Sequence, residues 1–169
     1  MYDGARSKTF EKSDFFSDGQ LARPLPEGTV ARGQLAEDAV ATGREGGRLL
    51  AEGPLPVTPG LLRRGQERFE IYCSPCHGRL GDGDGMIVRR GFQRPPSYHA
   101  DRLRAAPDGY LFDVITEGYG AMPSYAARVA PEDRWAIIAY VRALQVSQAV
   151  PLGLLRPPER ARVASGAAR

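Results

Sequence analysis

The chain has 169 residues, 23 Lys+Arg against 20 Asp+Glu for a net charge of +3, 42% hydrophobic residues, and only 2 Cys and 2 His. This scale suits one domain with additional segments and argues against a multi-domain enzyme. The longest apolar run, Trp135 to Val141, is bounded by Arg134 and Arg142 and falls well short of the roughly 20 residues that span a bilayer, while the basic residues are too dispersed to suggest nucleic-acid binding.

At the amino end no apolar core of a signal peptide is present, and Phe10, Phe15 and Phe16 stand among Lys, Asp and Ser. From Leu21 to Thr58, Pro and Gly recur too often for a long helix, and no alternation lasts long enough for a sheet. Residues 1–57 are therefore expected to form an extended irregular arm, whose Phe15, Phe16, Leu21 and Val30 call for burial on a partner. Thr58 as N-cap and Pro59 at the first helical position predict a helix to about Tyr72. Its Leu61, Leu62, Gly65, Phe69 and Tyr72 share a face, and Gly65 would admit a second helix at close range. Residues 78–107 read as loop: GRLGDGDG is rich in candidates for positive φ, and QRPPSYH is extended because each residue before a proline is pushed out of the α region. Pro107 opens a short helix closed by Gly118, with Leu111, Phe112 and Ile115 on its buried side. After the loop YGAMPSYAARVA, Pro131-Glu132-Asp133 starts the strongest helix, with Trp135, Ile138 and Val141 or Leu144 along one stripe. Residues 149–169 lack periodicity and are expected to be a mobile tail.

Cys73-Ser74-Pro75-Cys76-His77 is a C-x-x-C-H pentapeptide, the attachment sequence for c-type haem. Two residues between the cysteines match the spacing of two vinyl groups on one porphyrin edge, and the next residue supplies an axial imidazole. Other readings fit less well. A redox dithiol would want its first Cys at a helix N-terminus, whereas these cysteines follow a helix. A zinc site would have to be assembled from Cys73, Cys76, His77 and His99, with His77 tied too closely to Cys76. On the opposite side of the iron the candidates are Met122, Met86 and His99. Met122 is the choice, because Pro123 stiffens a Gly-rich loop that is a poor place for a packing methionine. Met86 follows His77 too closely, and His99 reads as a loop histidine. Asp82 and Asp84 are read as turn residues and not as a calcium site, and Arg89, Arg90, Arg94 and Arg102 as scattered solvated residues, with a docking face or partners for haem propionates as the lesser reading.

A helix with an aromatic residue entering C-x-x-C-H, a Pro-containing loop, a short helix, Met-Pro, and a last helix with Trp and Tyr resemble class I cytochrome c over residues 59 to about 147. The resemblance implies an all-α fold with one covalent haem c. It also implies that the first and last helices of residues 58–148 cross near Gly65, with Phe69 meeting Tyr140 or Trp135. It further implies that the carbonyl of Pro95 or Pro96 accepts the Nδ1–H of His77. The arm strings Ser13-Asp14-Phe15-Phe16-Ser17-Asp18-Gly19, Ala22-Arg23-Pro24 and Glu27-Gly28-Thr29-Val30-Ala31-Arg32-Gly33 are similar to the mono-haem cytochrome c subunit of bacterial alternative complex III. So are Arg94-Pro95-Pro96-Ser97-Tyr98-His99 and Gly118-Tyr119-Gly120-Ala121-Met122-Pro123-Ser124-Tyr125. This implies an electron-transfer subunit, not itself an enzyme, on the periplasmic face of the bacterial inner membrane. It would dock through its arm on other subunits of a quinol-oxidising complex and serve a soluble carrier or terminal oxidase. Members are often lipoproteins with a cysteine just ahead of a segment like Met1-Tyr2-Asp3. No such Cys stands in this chain: either a lipidated Cys precedes Met1 or this homologue lacks the anchor, and membrane association is expected through the complex, with a lipid anchor not visible in this chain as a second route. The competing expectations are a free periplasmic shuttle cytochrome and, with Met122 displaced, a haem peroxidase or gas sensor.

Overall fold

A computed structural model of the chain describes residue 4 and residues 6–8, 10–29, 39–150 and 152–165. The chain divides into two units, Met1–Ala36 and Glu37–Arg169. In the first, Lys12 bridges to Gln20, Ser13 N donates to Gly19 O at 3.0 Å, and Leu21 N donates to Glu11 O at 3.3 Å, which closes a loop. Inside this loop the Phe15 and Phe16 rings meet edge to face at 5.0 Å, Arg23 lies 4.3 Å over Phe16, and Arg23 pairs with Asp18 at 2.7 Å. Aromatic, cation–π and charge contacts thus turn part of the expected extended segment back on itself. Val30 lies outside the described residues.

The second unit begins earlier than composition suggests. A short helix α1 (Ala39–Thr42) and a hairpin of β1 (Arg44–Glu45) and β2 (Arg48–Leu49), paired Arg44 with Leu49 and Glu45 with Arg48, precede α2 (Pro59–Tyr72). Then follow α3 (Ser74–His77), α4 (Asp101–Arg104), α5 (Asp108–Glu117), α6 (Pro131–Gln148) and α7 (Pro157–Ala164). The expected arm boundary at residue 57 is corrected here: residues 39–57 pack on the helices. Trp135 Nε1 donates to Val40 O at 2.7 Å, Gly109 N to Leu50 O at 2.9 Å, and Gly53 N to the Asp108 carboxylate at 2.9 Å. A buried indole N–H needs an acceptor, and Phe112 and Trp135, stacked at 4.5 Å, need covering, which Val40, Leu50 and Leu55 provide.

Helix α2 starts where the Thr58 hydroxyl accepts from Leu61 N at 3.1 Å. It crosses α6 at Gly65, where an added Cβ would lie 2.0 Å from Ala136 O; no residue with a side chain would let the two backbones approach this closely. Beside the crossing, Phe69 packs on Tyr140 with centroids 5.3 Å apart, and Phe69, Val129, Ile137, Val141 and Leu144 form one core cluster. Leu111, Phe112, Trp135 and Ile138 form the other. Helix α6 is thus buried along both flanks, its apolar residues serving two clusters. After it, where a structureless tail was expected, α7 forms behind Arg156, its first turn holding Pro157 and the Glu159 carboxylate accepting from Arg156 N at 2.9 Å.

Candidate haem site

The cysteine motif sits at the end of α2, which runs into a tight turn. Cys73 N donates to Phe69 O at 2.9 Å as the last helical bond, and His77 N donates to Cys73 O at 2.9 Å, so α3 is a single turn carrying Cys76 and His77. The following Gly-rich segment lies along this turn as a ladder. Gly83 N donates to His77 O at 2.8 Å, Gly85 N to Cys76 O at 3.1 Å, and Ile87 N to Pro75 O at 3.0 Å. A Cβ on Gly85 would stand 2.2 Å from Pro75 O, so this segment needs glycine to reach the motif. Within it the Asp82 carboxylate accepts from Asp84 N at 3.0 Å and Asp84 pairs with Arg89 at 2.9 Å, while Arg94 donates to Asp82 O at 3.1 Å. The acidic turn is spent on its own loop, and no group of three or more His, Cys, Asp or Glu among the described residues could hold a metal ion.

The two thiols are not joined to each other. Enclosure, with Cys76 close by, pushes the Cys73 thiol up to about 12, which keeps it protonated and unlike the acidified thiol of a redox dithiol. Burial alone lowers His77 to about 4, so its imidazole is neutral near pH 7, the form that binds iron. Its Nδ1 is buried without a hydrogen-bond partner. The expected acceptor, the carbonyl of Pro95 or Pro96, therefore does not reach it. The extended stretch turns Pro95 O toward the Gly-rich loop, where a Cβ on Gly83 would lie 2.4 Å from that oxygen. The ring of Tyr98 lies flat against the His77 imidazole instead, with centroids 4.6 Å apart and 13° between planes.

Met122 stands in a turn in which Tyr119 N donates to Met122 O and Met122 N donates to Tyr119 O, each at 3.0 Å. Its side chain is half-buried, whereas Met86 is 52% exposed, and the His99 Nε2 donates to Leu80 O at 2.7 Å. Of the three sixth-ligand candidates, Met122 is neither open to solvent nor bonded elsewhere through its sulfur. The Met122 loop is brought to the cysteine turn by Tyr125, whose ring meets Tyr72 edge to face at 6.4 Å and whose hydroxyl pKa is raised first by burial and then by Cys73 and Cys76.

Composition and periodicity did not single out the residue that anchors this loop. Arg134 is 5% exposed and donates to Val129 O at 2.9 Å, Ala126 O at 3.0 Å and the Thr116 hydroxyl at 3.0 Å. The signal was present: Arg134, Ile138, Val141 and Gln145 follow one another at spacings of four, three and four, so two polar residues occupy an apolar stripe and must be buried with partners.

A buried neutral imidazole with an unpartnered nitrogen, two free thiols on adjoining turns and a half-buried thioether in the loop before Tyr125 suit a covalent c-type haem. These residues and the helical frame define a cytochrome c domain, and it carries haem c. Residues 60–141 match the family described as cytochrome C oxidase, cbb3-type, subunit III. The chain is also similar to a chain of the reducing HAO-like protein complex of Kuenenia stuttgartiensis, at 25% identity and a TM-score of 0.48, covering 54% of this chain and 46% of that one. A second similar structure is cytochrome cL from the marine methylotroph Methylophaga aminisulfidivorans, at 20% identity and a TM-score of 0.46, covering 72% and 83% of the two chains. The present chain thus spans less than half the length of the Kuenenia chain. The assignment rests on the family match and on the motif.

Proposed function

We propose that the chain is a mono-haem electron-transfer subunit of a quinol-oxidising membrane complex of the alternative complex III type, held on the periplasmic face of the bacterial inner membrane. Cys73 and Cys76 would attach the haem, and His77 and Met122 would supply ligands to its iron. When bound, the haem supplies an iron that gains and loses one electron. The chain's own part is to keep the imidazole neutral, shield the site from water and hold the thioether in a braced loop, and a thioether with burial favours the ferrous state. With His77 and Met122 both serving the iron, no position would be left for a substrate, which favours a carrier over an enzyme.

What supports assembly over free diffusion is the amino-terminal loop. Phe10 is 99% and Phe15 87% exposed on a segment closed by its own hydrogen bonds, an arrangement a freely diffusing carrier does not need. Together with the arm strings quoted above, it favours other subunits of a complex as the partners, with a soluble carrier or terminal oxidase downstream. The test is purification of the native protein from detergent-solubilised membranes, full-length and lacking residues 4–29. The full-length protein is expected to elute with a multi-subunit quinol oxidase, and the truncated protein to keep its spectrum while dissociating from it. Elution of the full-length protein alone would replace this reading with the free shuttle.

A further inference from the structure

We propose that Tyr98 is a positioning residue that sets the rotation of the His77 imidazole, and that Gln145 of α6 holds Tyr98 in place for that purpose. The inference rests on His77 being an axial haem ligand. A ligating imidazole is ordinarily fixed about its Cβ–Cγ bond by a hydrogen bond from its second nitrogen to a carbonyl or carboxylate. Here the Nδ1 has no such partner, so that brace is missing. A parallel ring takes its place: at 4.6 Å between centroids and 13° between planes, rotation of the imidazole would drive its edge into the face of Tyr98.

A brace works only if it is itself held, and Tyr98 is held from several sides. Its backbone N–H donates to Gly81 O at 2.8 Å, and its carbonyl accepts from Gln145 Nε2 at 2.7 Å. Gln145 is 5% exposed, and its own carbonyl oxygen accepts from Arg142 Nη1 at 2.9 Å. Arg142 in turn donates to Asp108 at 2.7 Å and to the carbonyls of Leu103 and Ala106. On the ring itself, Gly81 leaves room that a side chain would fill, since its Cβ would stand 2.8 Å from Tyr98 Cδ2, and Phe69 lies 6.2 Å away. A buried amide on α6, held by a partly buried ion pair, thus fixes the carbonyl of the residue that stacks on the ligand. Polar atoms are seldom buried without such full pairing.

The orientation of an axial imidazole in ferric low-spin haem governs how unpaired spin spreads over the porphyrin, and the proton NMR shifts of the four haem methyl groups read it out. Holo-protein carrying Tyr98→Phe, which keeps the ring, is expected to retain the wild-type order of these resonances. Tyr98→Leu, which removes it, should reorder and broaden them, and Gln145→Leu should move them in the same direction by a smaller amount. A merely structural role would lower stability in all three without reordering the methyl shifts. Wild-type order and widths in Tyr98→Leu would overturn the proposal. Should that variant fail to retain haem, the same result in Gln145→Leu would overturn it. A pyridine haemochrome spectrum lacking the haem c signature in wild-type protein would instead refute the haem reading itself.

Discussion

Replacing Gly65 with Ala sets two physical effects against each other. In an exposed helix the change stabilises by about 1 kcal/mol through backbone entropy. Here the new methyl would lie 2.0 Å from Ala136 O, 2.6 Å from Ala136 C and 3.0 Å from Tyr140 Cβ. The nearest atoms are main chain of α6 and cannot swing aside. Restoring an ordinary C···O separation of about 3.3 Å requires α2 and α6 to part by roughly 1.3 Å at the crossing. A radial gap of that order forfeits about half of the dispersion attraction between facing atoms. Phe69 and Ile137, each at most 1% exposed, are the side chains that lose it. Overpacking of this kind typically costs about 1–3 kcal/mol, and a rigid backbone neighbour puts it at the upper end. After the propensity gain, net destabilisation of about 2 kcal/mol is expected. With a guanidinium m-value of roughly 2–6 kcal/mol/M, the unfolding midpoint of the holo-protein should fall by about 0.3–1 M at unchanged m. Far-UV circular dichroism and haem absorbance, followed through the same titration, measure it. A midpoint equal to or above that of wild type would show that the helices do not pack on this glycine.

Attachment through Cys73 and Cys76, as proposed, means that denatured protein extracted with acidified acetone should keep its colour; pigment passing into the solvent would refute covalent attachment. Met122→Ala should abolish the weak near-infrared sulfur-to-iron band and open the iron to added imidazole, whereas Met86→Ala, at an exposed position, should leave both unchanged. Arg134→Met keeps the apolar stem but removes the donors to Val129, Ala126 and Thr116. A cost of about 2–3 kcal/mol is expected in denaturant titration, together with faster binding of external ligands as the Met122 loop loosens. Unchanged stability and ligand binding would mean that the loop does not depend on this arginine.

The frame of the haem domain was legible in the chain because its signals are local. Thr58-Pro59 starts α2, Gly118 closes α5 and Pro131 with two acidic residues opens α6, each through backbone chemistry within one turn. Gly65 announced a helix crossing for the same reason, since only close approach rewards a glycine inside a good helix. The cysteine motif was equally local: five consecutive residues place two thiols and an imidazole on adjoining turns whatever surrounds them. Residues 39–57 could not be read this way. Their Pro and Gly resemble a linker, and their place is decided by the Trp135 N–H seeking Val40 O, 95 positions away, and by two aromatic faces that need cover. The neighbour of His77 was likewise beyond local reading. Pro95 and Pro96 were expected to supply a carbonyl, but the ladder of Gly83, Gly85 and Ile87 on the motif directs Pro95 O toward Gly83 and brings Tyr98 onto the imidazole. Local sequence determined the helices and the grouping of two thiols and an imidazole on adjoining turns, because turn geometry and residue spacing act over a few positions. Tertiary structure alone decided what encloses and orients them, because burial and hydrogen-bond satisfaction are settled among residues that meet only in the folded chain.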